Sequence, residues 1–196
     1  MKINLLLGSG NVGKIKEIKS YLTYFNLFKD YKILDLSNFR DLGEPEENGT
    51  TFEENSIIKS VFFYNKTKCL TLSDDSGLIV EGMKNFPGIK TARVTKEMGD
   101  EQKVVNYIFN KNPKKWKIKA TFYCSLSLVG DKINHVVTGK VVGSIISNKR
   151  GSDGFGYDPF FIPQNSNKTF AEIGLKQKMF LSHRFEAFKI LSITQK

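Results

Sequence analysis

The 196-residue sequence is poor in cysteine, proline and tryptophan, with two Cys, five Pro and one Trp. The two thiols, Cys69 and Cys124, have no CxxC spacing. Neither a disulfide framework nor a cysteine zinc site is therefore expected, and both residues are read as reduced core residues. No proline- or serine-rich linker, internal repeat or low-complexity stretch is present, so residues 1–196 are expected to form a single domain, one core or two small lobes sharing one. No apolar run approaches the ~20 residues that cross a bilayer. The opening MKINLLLGSG reads as a strand entering a glycine turn, not as a signal peptide. The expectation is a soluble, cytoplasmic protein with no membrane partner.

What is present is an ordinary globular balance, with 40% hydrophobic and 26% charged residues. The formal net charge of +10 would suit nucleic acid, a membrane or a small polyphosphate, and cannot choose among them. Lysines such as Lys66, Lys68, Lys114, Lys115 and Lys117 are scattered rather than massed in one block. The abundance of Lys, Asn, Phe and Ile reads as a bias of the source, which weakens basicity as a functional signal.

Strand and helix patterns alternate. Residues 2–7 suit a buried strand, which meets Gly8, Gly10 and Gly13; Ile15, Ile18, Leu22 and Phe25 then recur at helical spacing. Residues 31–36 read as a second strand, followed by an acidic loop with Glu44, Glu46 and Glu47. A helix is expected over 52–65, capped by Thr50 or Thr51, with Glu53 and Glu54 in its positive first turn. Residues 69–72 read as a strand delivering Asp74 and Asp75 at its end, with the apolar pattern resuming at 78–80. A helix over 100–109, a hairpin of 118–129 and 135–146, and a closing helix over 179–193 complete the pattern. His135 lies in a strand without partners and is read as structural. The order argues for an α/β fold with a central mixed sheet flanked by helices and a smaller hairpin lobe.

Four motifs carry chemistry. In Ser9-Gly10-Asn11-Val12-Gly13-Lys14, glycine-freed amides, a helix start and a lysine together suit phosphate oxygens, although an ordinary strand-to-helix turn has the same form. Ile15 follows the lysine, so the loop is not a Walker A sequence. In Ser73-Asp74-Asp75-Ser76-Gly77, adjacent carboxylates after an apolar run need a compensating cation, unless they only cap a turn. Asp75 with a glutamate of the 44–47 cluster would make a sparse Mg²⁺ site. In Gly154-Phe155-Gly156-Tyr157-Asp158-Pro159, close backbone approach, aromatic faces and a carboxylate suit a base pocket or, equally, an aromatic core turn. Last come Lys178 and Ser182-His183-Arg184, where Arg184 could grip a phosphate or carbonyl and His183 could donate to a ring carbonyl.

In this order the motifs resemble the Ham1/RdgB-like inosine triphosphate pyrophosphatases. The likeness runs through SGNVGK at 9–14, PEENGTTFEEN at 45–55, DDSGL at 74–78, PGIKTAR at 87–93, GFGYDPFF at 154–161 and SHRFEA at 182–187. It implies a two-lobed, elongated fold with an active-site cleft between the lobes, a homodimer, and Mg²⁺-dependent hydrolysis of ITP, dITP and XTP to monophosphate and pyrophosphate. It further implies phosphate contacts at Ser9, Asn11 and Lys14, another triphosphate lysine at Lys59, and metal ligation by Glu46 and Asp75, with Glu44, Glu47 and Glu54 as alternatives to Glu46. Asp75 would activate or only orient the attacking water, with Ser76 beside the substrate. Phe155, Gly156, Tyr157 and Asp158 would bind the base, closed by Lys178, His183 and Arg184. Ser9 stands where threonine is common in the family and Ser56 where alanine is frequent.

Hydrogen-bond polarity explains why such a site would reject adenine. Donors facing O6 suit hypoxanthine but stay unpaired against an amino group, a mismatch worth ~10⁴-fold. A basic nucleic-acid-binding module is the competing class; its backbone phosphates would be repelled by Asp74, Asp75 and the 44–47 glutamates. A pyrophosphatase acting mainly on canonical or pyrimidine triphosphates is the competing enzyme.

Overall fold

A computed structural model describes residues 3–194; Lys2, the expected start of the first strand, lies outside them. Strands β1 (Asn4–Leu7), β2 (Lys32–Asp35), β3 (Leu70–Val80), β4 (Lys117–Val129), β5 (Asn134–Ile146) and β6 (Phe161–Pro163) form a six-stranded sheet in the order β2-β1-β3-β4-β5-β6. The sheet is mixed. β1 runs parallel to β2 and β3, with Leu6 opposite Leu34 and Thr71, whereas β6 is antiparallel to β5, Ser144 opposing Ile162. The helices are α1 (Val12–Tyr24), α2 (Phe52–Thr67), α3 (Thr91–Met98), α4 (Glu101–Asn110), α5 (Phe170–Ile173), α6 (Leu175–Lys178) and α7 (His183–Thr194).

Helix starts follow local chemistry. Thr51 Oγ1 accepts the Glu54 amide at 3.1 Å, and Glu54 Oε2 returns to accept the Thr50 amide at 2.6 Å. These bonds satisfy donors that α2 would otherwise leave open, and the first-turn glutamates meet its positive end. Asn11 caps α1 in the same way. Among the described residues no helix is long and apolar enough to cross a membrane.

The chain divides into two compact units. The first comprises residues up to Asp75, Cys124–Gly139, and those from Arg184 onward; the second comprises Ser76–Tyr123 and Lys140–His183. The first buries Leu5, Leu6 and Leu7 of β1, Ile18 and Tyr21 of α1, Leu126 and Leu128 of β4, and Phe188 of α7, with the Tyr21 and Phe188 rings 5.3 Å apart. The second has its own cluster, including Leu78, Val104, Ile108, Phe122, Phe161 and Phe170, with Phe122 and Phe161 centred 4.5 Å apart. The 130–133 turn of the β4-β5 hairpin belongs to the first unit and the hairpin's open ends to the second.

Several elements differ from expectation. The stretch expected to be a strand, an acidic turn and a short apolar run is one eleven-residue strand, β3, with Asp74 and Asp75 in its interior. Helix α3, which contains TAR of the 87–93 motif, and the short β6 carried no pattern long enough to be legible. The last helix starts at His183 instead of residue 179.

Candidate active site

In the first unit the end of β1 and the start of α1 build the glycine loop. A Cβ at Gly8 would lie 2.3 Å from Ser73 Oγ and 2.9 Å from the Phe63 ring, so only glycine lets β1 pass this close to β3 and α2. Beyond it, the Asn11 amide donates to Ser9 Oγ at 3.3 Å, and Asn11 Oδ1 accepts the Lys14 amide at 3.0 Å. The Ser9 and Asn11 side chains thus shape the loop. The Ile15 amide is taken by the Asn11 carbonyl, which leaves those of Val12 and Gly13 without an intrahelical acceptor at the positive end of α1.

Asp74 and Asp75 are consecutive strand residues, so their side chains leave β3 on opposite faces. The contacts agree. Asp74 Oδ2 meets Lys14 Nζ of α1 at 3.2 Å and accepts from Arg184 Nη2 of α7 at 2.9 Å. Asp75 Oδ1 accepts from Lys59 Nζ of α2 at 2.7 Å, and Lys59 Nζ also lies 3.4 Å from Glu47 Oε1. Extended backbone between two adjacent acids is tolerated because each acid has its own cations. Burial alone would push the Asp74 carboxyl up, but Lys14, Arg184 and Lys59 outweigh it and hold the group well below the usual carboxylate range. For Asp75 burial prevails over Lys59 and Lys14, aided by the negative Glu47, and its carboxyl titrates above the ordinary value. Burial works against the charge of Lys59, yet Asp75, Asp74 and Glu47 keep its ammonium protonated beyond its usual range.

The glutamate that reaches this point is Glu47; Glu46 is exposed, and Glu54 is used in capping α2. Asp74 Oδ1 and Asp75 Oδ2 are buried and have no hydrogen-bond partner among the described residues.

In the second unit the 154–158 loop folds around one carboxylate. Asp158 Oδ2 accepts from the Phe155 amide at 2.8 Å and from Lys178 Nζ at 2.6 Å. A Cβ at Gly154, where φ is +87°, would sit 2.2 Å from that oxygen, so glycine is needed for both the turn and the approach. Lys178 Nζ lies 4.7 Å from the centre of the half-buried Phe155 ring. Tyr157, expected to bind the base, turns into the core in this structure. It is 4% exposed and belongs to the second unit's apolar cluster, and its hydroxyl pairs with Thr95 Oγ1 at 2.7 Å. Burial pushes its phenol up to about 12. His183 is buried and stacks on Phe122, with centroids 4.8 Å apart and planes 13° off parallel. Gly156 is half-buried at a φ of +61°, and Ser76 is half-buried next to Asp75 in the chain.

The structure therefore gathers Lys14, Asp74 and Arg184 on one side of β3 and Lys59, Asp75 and Glu47 on the other in the first unit, and Phe155, Asp158 and Lys178 in the second. Sequence reasoning missed Glu17, whose carboxylate accepts from Arg184 Nη1. Its spacing of three residues from Lys14 on one helix face was the available signal. Nothing in the acidic loop singled out Glu47.

A mixed α/β chain with a glycine loop at a helix start and a charged strand interior is of the kind that binds phosphate esters. The particular lineage follows from comparison with known proteins. A model of the Ham1 family matches residues 5–193, and the chain belongs to that family. It is 35% identical over 193 residues to a dITP/XTP pyrophosphatase of Bacillus cereus, covering 95% of this chain and 92% of the relative. It is 39% identical to the dITP/XTP pyrophosphatase of Zymomonas mobilis, covering 95% and 89%. The Staphylococcus aureus Ham1 protein superposes with a TM-score of 0.85 at 34% identity, covering 98% of this chain and 97% of its own.

Proposed function

We propose that this protein hydrolyses non-canonical purine nucleoside triphosphates, of the dITP, ITP and XTP kind, to the monophosphate and pyrophosphate. The observation that carries the reading is Asp75, a buried carboxylate with one oxygen held by Lys59 and the other unpartnered, within electrostatic reach of the loop lysine Lys14. The names of its relatives, dITP/XTP pyrophosphatases, agree with it.

Cleavage between the α and β phosphates builds negative charge on departing pyrophosphate. Lys14, Lys59 and the first amides of α1 are the groups of this chain that meet that charge. Among the described residues no three His, Cys, Asp or Glu side chains gather around one point. Asp75 and Glu47 alone thus suit an ion that takes its remaining ligands from water and phosphate oxygens, as Mg²⁺ does. Such an ion supplies charge neutralisation and polarises water. Asp75 Oδ2 orients the attacking water and accepts its hydrogen. In the second unit Phe155 offers a stacking face, and Lys178, His183 and the loop amides are the donors that suit an oxo-purine and leave adenine mismatched. Asp158 holds Lys178 and the loop in place. The family resemblance supports a cytoplasmic homodimer acting on free nucleotides, which sedimentation would test.

The deciding experiment measures pyrophosphate release from dITP, ITP, XTP, GTP, ATP and dUTP with Mg²⁺ or with EDTA. The expected result is preference for the oxo-purine triphosphates and loss of turnover in EDTA. Equal turnover of ATP and ITP overturns the selectivity, and undiminished turnover in EDTA overturns the metal.

A further inference from the structure

Four charged side chains of the first unit form one continuous run of contacts. Arg184 Nη1 donates to Glu17 Oε2, and Arg184 Nη2 donates to Asp74 Oδ2 at 2.9 Å; the same Asp74 oxygen meets Lys14 Nζ at 3.2 Å. The groups come from three elements. Lys14 and Glu17 lie three residues apart on α1, Asp74 is in β3, and Arg184 is in α7. The side chains of Asp74 and Arg184 are 0% and 1% exposed, whereas those of Lys14 and Glu17 are 18% and 15% exposed. Solvent therefore reaches the set at Lys14 and Glu17, and of these two only the lysine attracts an arriving anion.

A planar guanidinium holds two carboxylates on different elements in a fixed fork, whereas an ammonium is a point charge without that directional geometry. Arg184 uses both terminal nitrogens for this purpose, one on each carboxylate. Lysine, in contrast, has a long stem whose ordering costs entropy each time it must be aimed. A fixed carboxylate beside it removes part of that cost before any ligand binds.

We propose that Glu17 and Arg184 are positioning residues: they fix the Asp74 carboxylate, which holds the Lys14 ammonium where it meets the phosphates of the substrate. The nature of that anion rests on the proposed function above. The direction of action is specific. Glu17 acts on phosphate binding through Lys14, and Arg184 does so without touching the purine.

The test is a double-mutant cycle on affinity for inorganic tripolyphosphate, which has no base, measured by calorimetry, alongside KM and kcat for dITP. Glu17→Gln is expected to weaken tripolyphosphate and raise the KM for dITP by the same factor, about tenfold for a lost charge-assisted contact. kcat should change much less. In a Lys14→Ala background Glu17→Gln should have no further effect on tripolyphosphate. Arg184→Lys should act in the same direction on both ligands. If Glu17→Gln costs the same factor with and without Lys14, the proposal falls. It also falls if Arg184→Lys raises the KM for dITP but leaves tripolyphosphate affinity intact, because Arg184 would then read the base. Glu17→Asp, which keeps the charge but shortens the reach, replaces Glu17→Gln in the cycle if the latter fails to fold by circular dichroism. A wild type inactive on every purine triphosphate would sink the proposed function, while the tripolyphosphate cycle still decides this inference.

Discussion

Asp74 and Asp75 share a peptide bond and the fields of Lys14 and Lys59, but not their contacts. One faces α1 and α7, takes two cations on a single oxygen and is held ionised far into acid. The other faces α2, has Lys59 on one oxygen and an unpartnered second oxygen, and titrates above the usual carboxylate value because burial outweighs its cation. The pleat of β3 sends neighbouring residues to opposite faces. On one face the acid is held in an ion pair with two cations, and on the other it is the acid proposed above to act on water. Perturbation toward the neutral form is the signature expected of a working carboxylate, and perturbation toward the charged form that of a buried ion pair.

The largest expected effect breaks the pair apart by function. Asp75→Asn should lower kcat by at least ~10³-fold, since it removes the charge proposed to meet metal and water. It should lower the midpoint of thermal unfolding less than the Asp74 change does, because burial already pushes Asp75 toward its neutral form and Lys59 keeps Asp74 and Glu47 as counter-charges. Near-normal pyrophosphate release from a folded variant would move the chemistry elsewhere. Asp74→Asn should behave in the opposite sense. Leaving Arg184 and Lys14 undercompensated in a dry site is expected to destabilise the protein by ~3–5 kcal/mol. That corresponds to a fall of roughly 10 °C in Tm for a chain of this size. If Asp74→Asn unfolds at the wild-type temperature, the anchor role is wrong.

A smaller effect sharpens the Asp75 side. Glu47→Gln should raise the Mg²⁺ concentration for half-maximal rate by about tenfold, as losing one ligand of a sparse site does. Glu46→Gln, on an exposed side chain, should leave it unchanged. Reversal of the two results would return the metal to the residue first expected from the sequence.

The glycine loop, the cap of α2 and the hairpin turn were legible because each is a short-range event: a strand, a glycine, a capping side chain and a helix follow one another within a few residues. The continuity of β3 was not legible. Two acids followed by serine and glycine carry the local marks of a turn. What keeps them extended is the pairing of β3 between β1 and β4, with Lys14, Lys59 and Arg184 compensating the acids, and only folding brings these together. Glu47 was hidden for a related reason, since an irregular loop has no period from which to read side-chain direction. Tyr157 sits in a glycine-rich loop where pocket and core have the same composition. Only packing around Thr95 separates them.

The smallest effect tests whether the Asp74 face is sealed. Cys124 is fully buried, and its thiol is pushed up to about 12, first by burial, with Arg184 and Lys14 pulling down and Asp74 and Asp75 pushing up. The fold therefore needs this thiol neutral. Its contribution to stability is intact below the unfolded thiol value of about 8.5 and is lost as pH rises toward the folded one. Cys69 is only half-buried. With a disulfide reagent at pH 8, one thiol per native chain should react promptly and the second only as the chain opens, because attack requires thiolate and access. In Asp74→Asn the second thiol should react faster, since the destabilised anchor opens more often. Equal native rates for the two thiols would mean that water already reaches this face, and an unchanged second rate in Asp74→Asn would mean that something other than Asp74 keeps it shut.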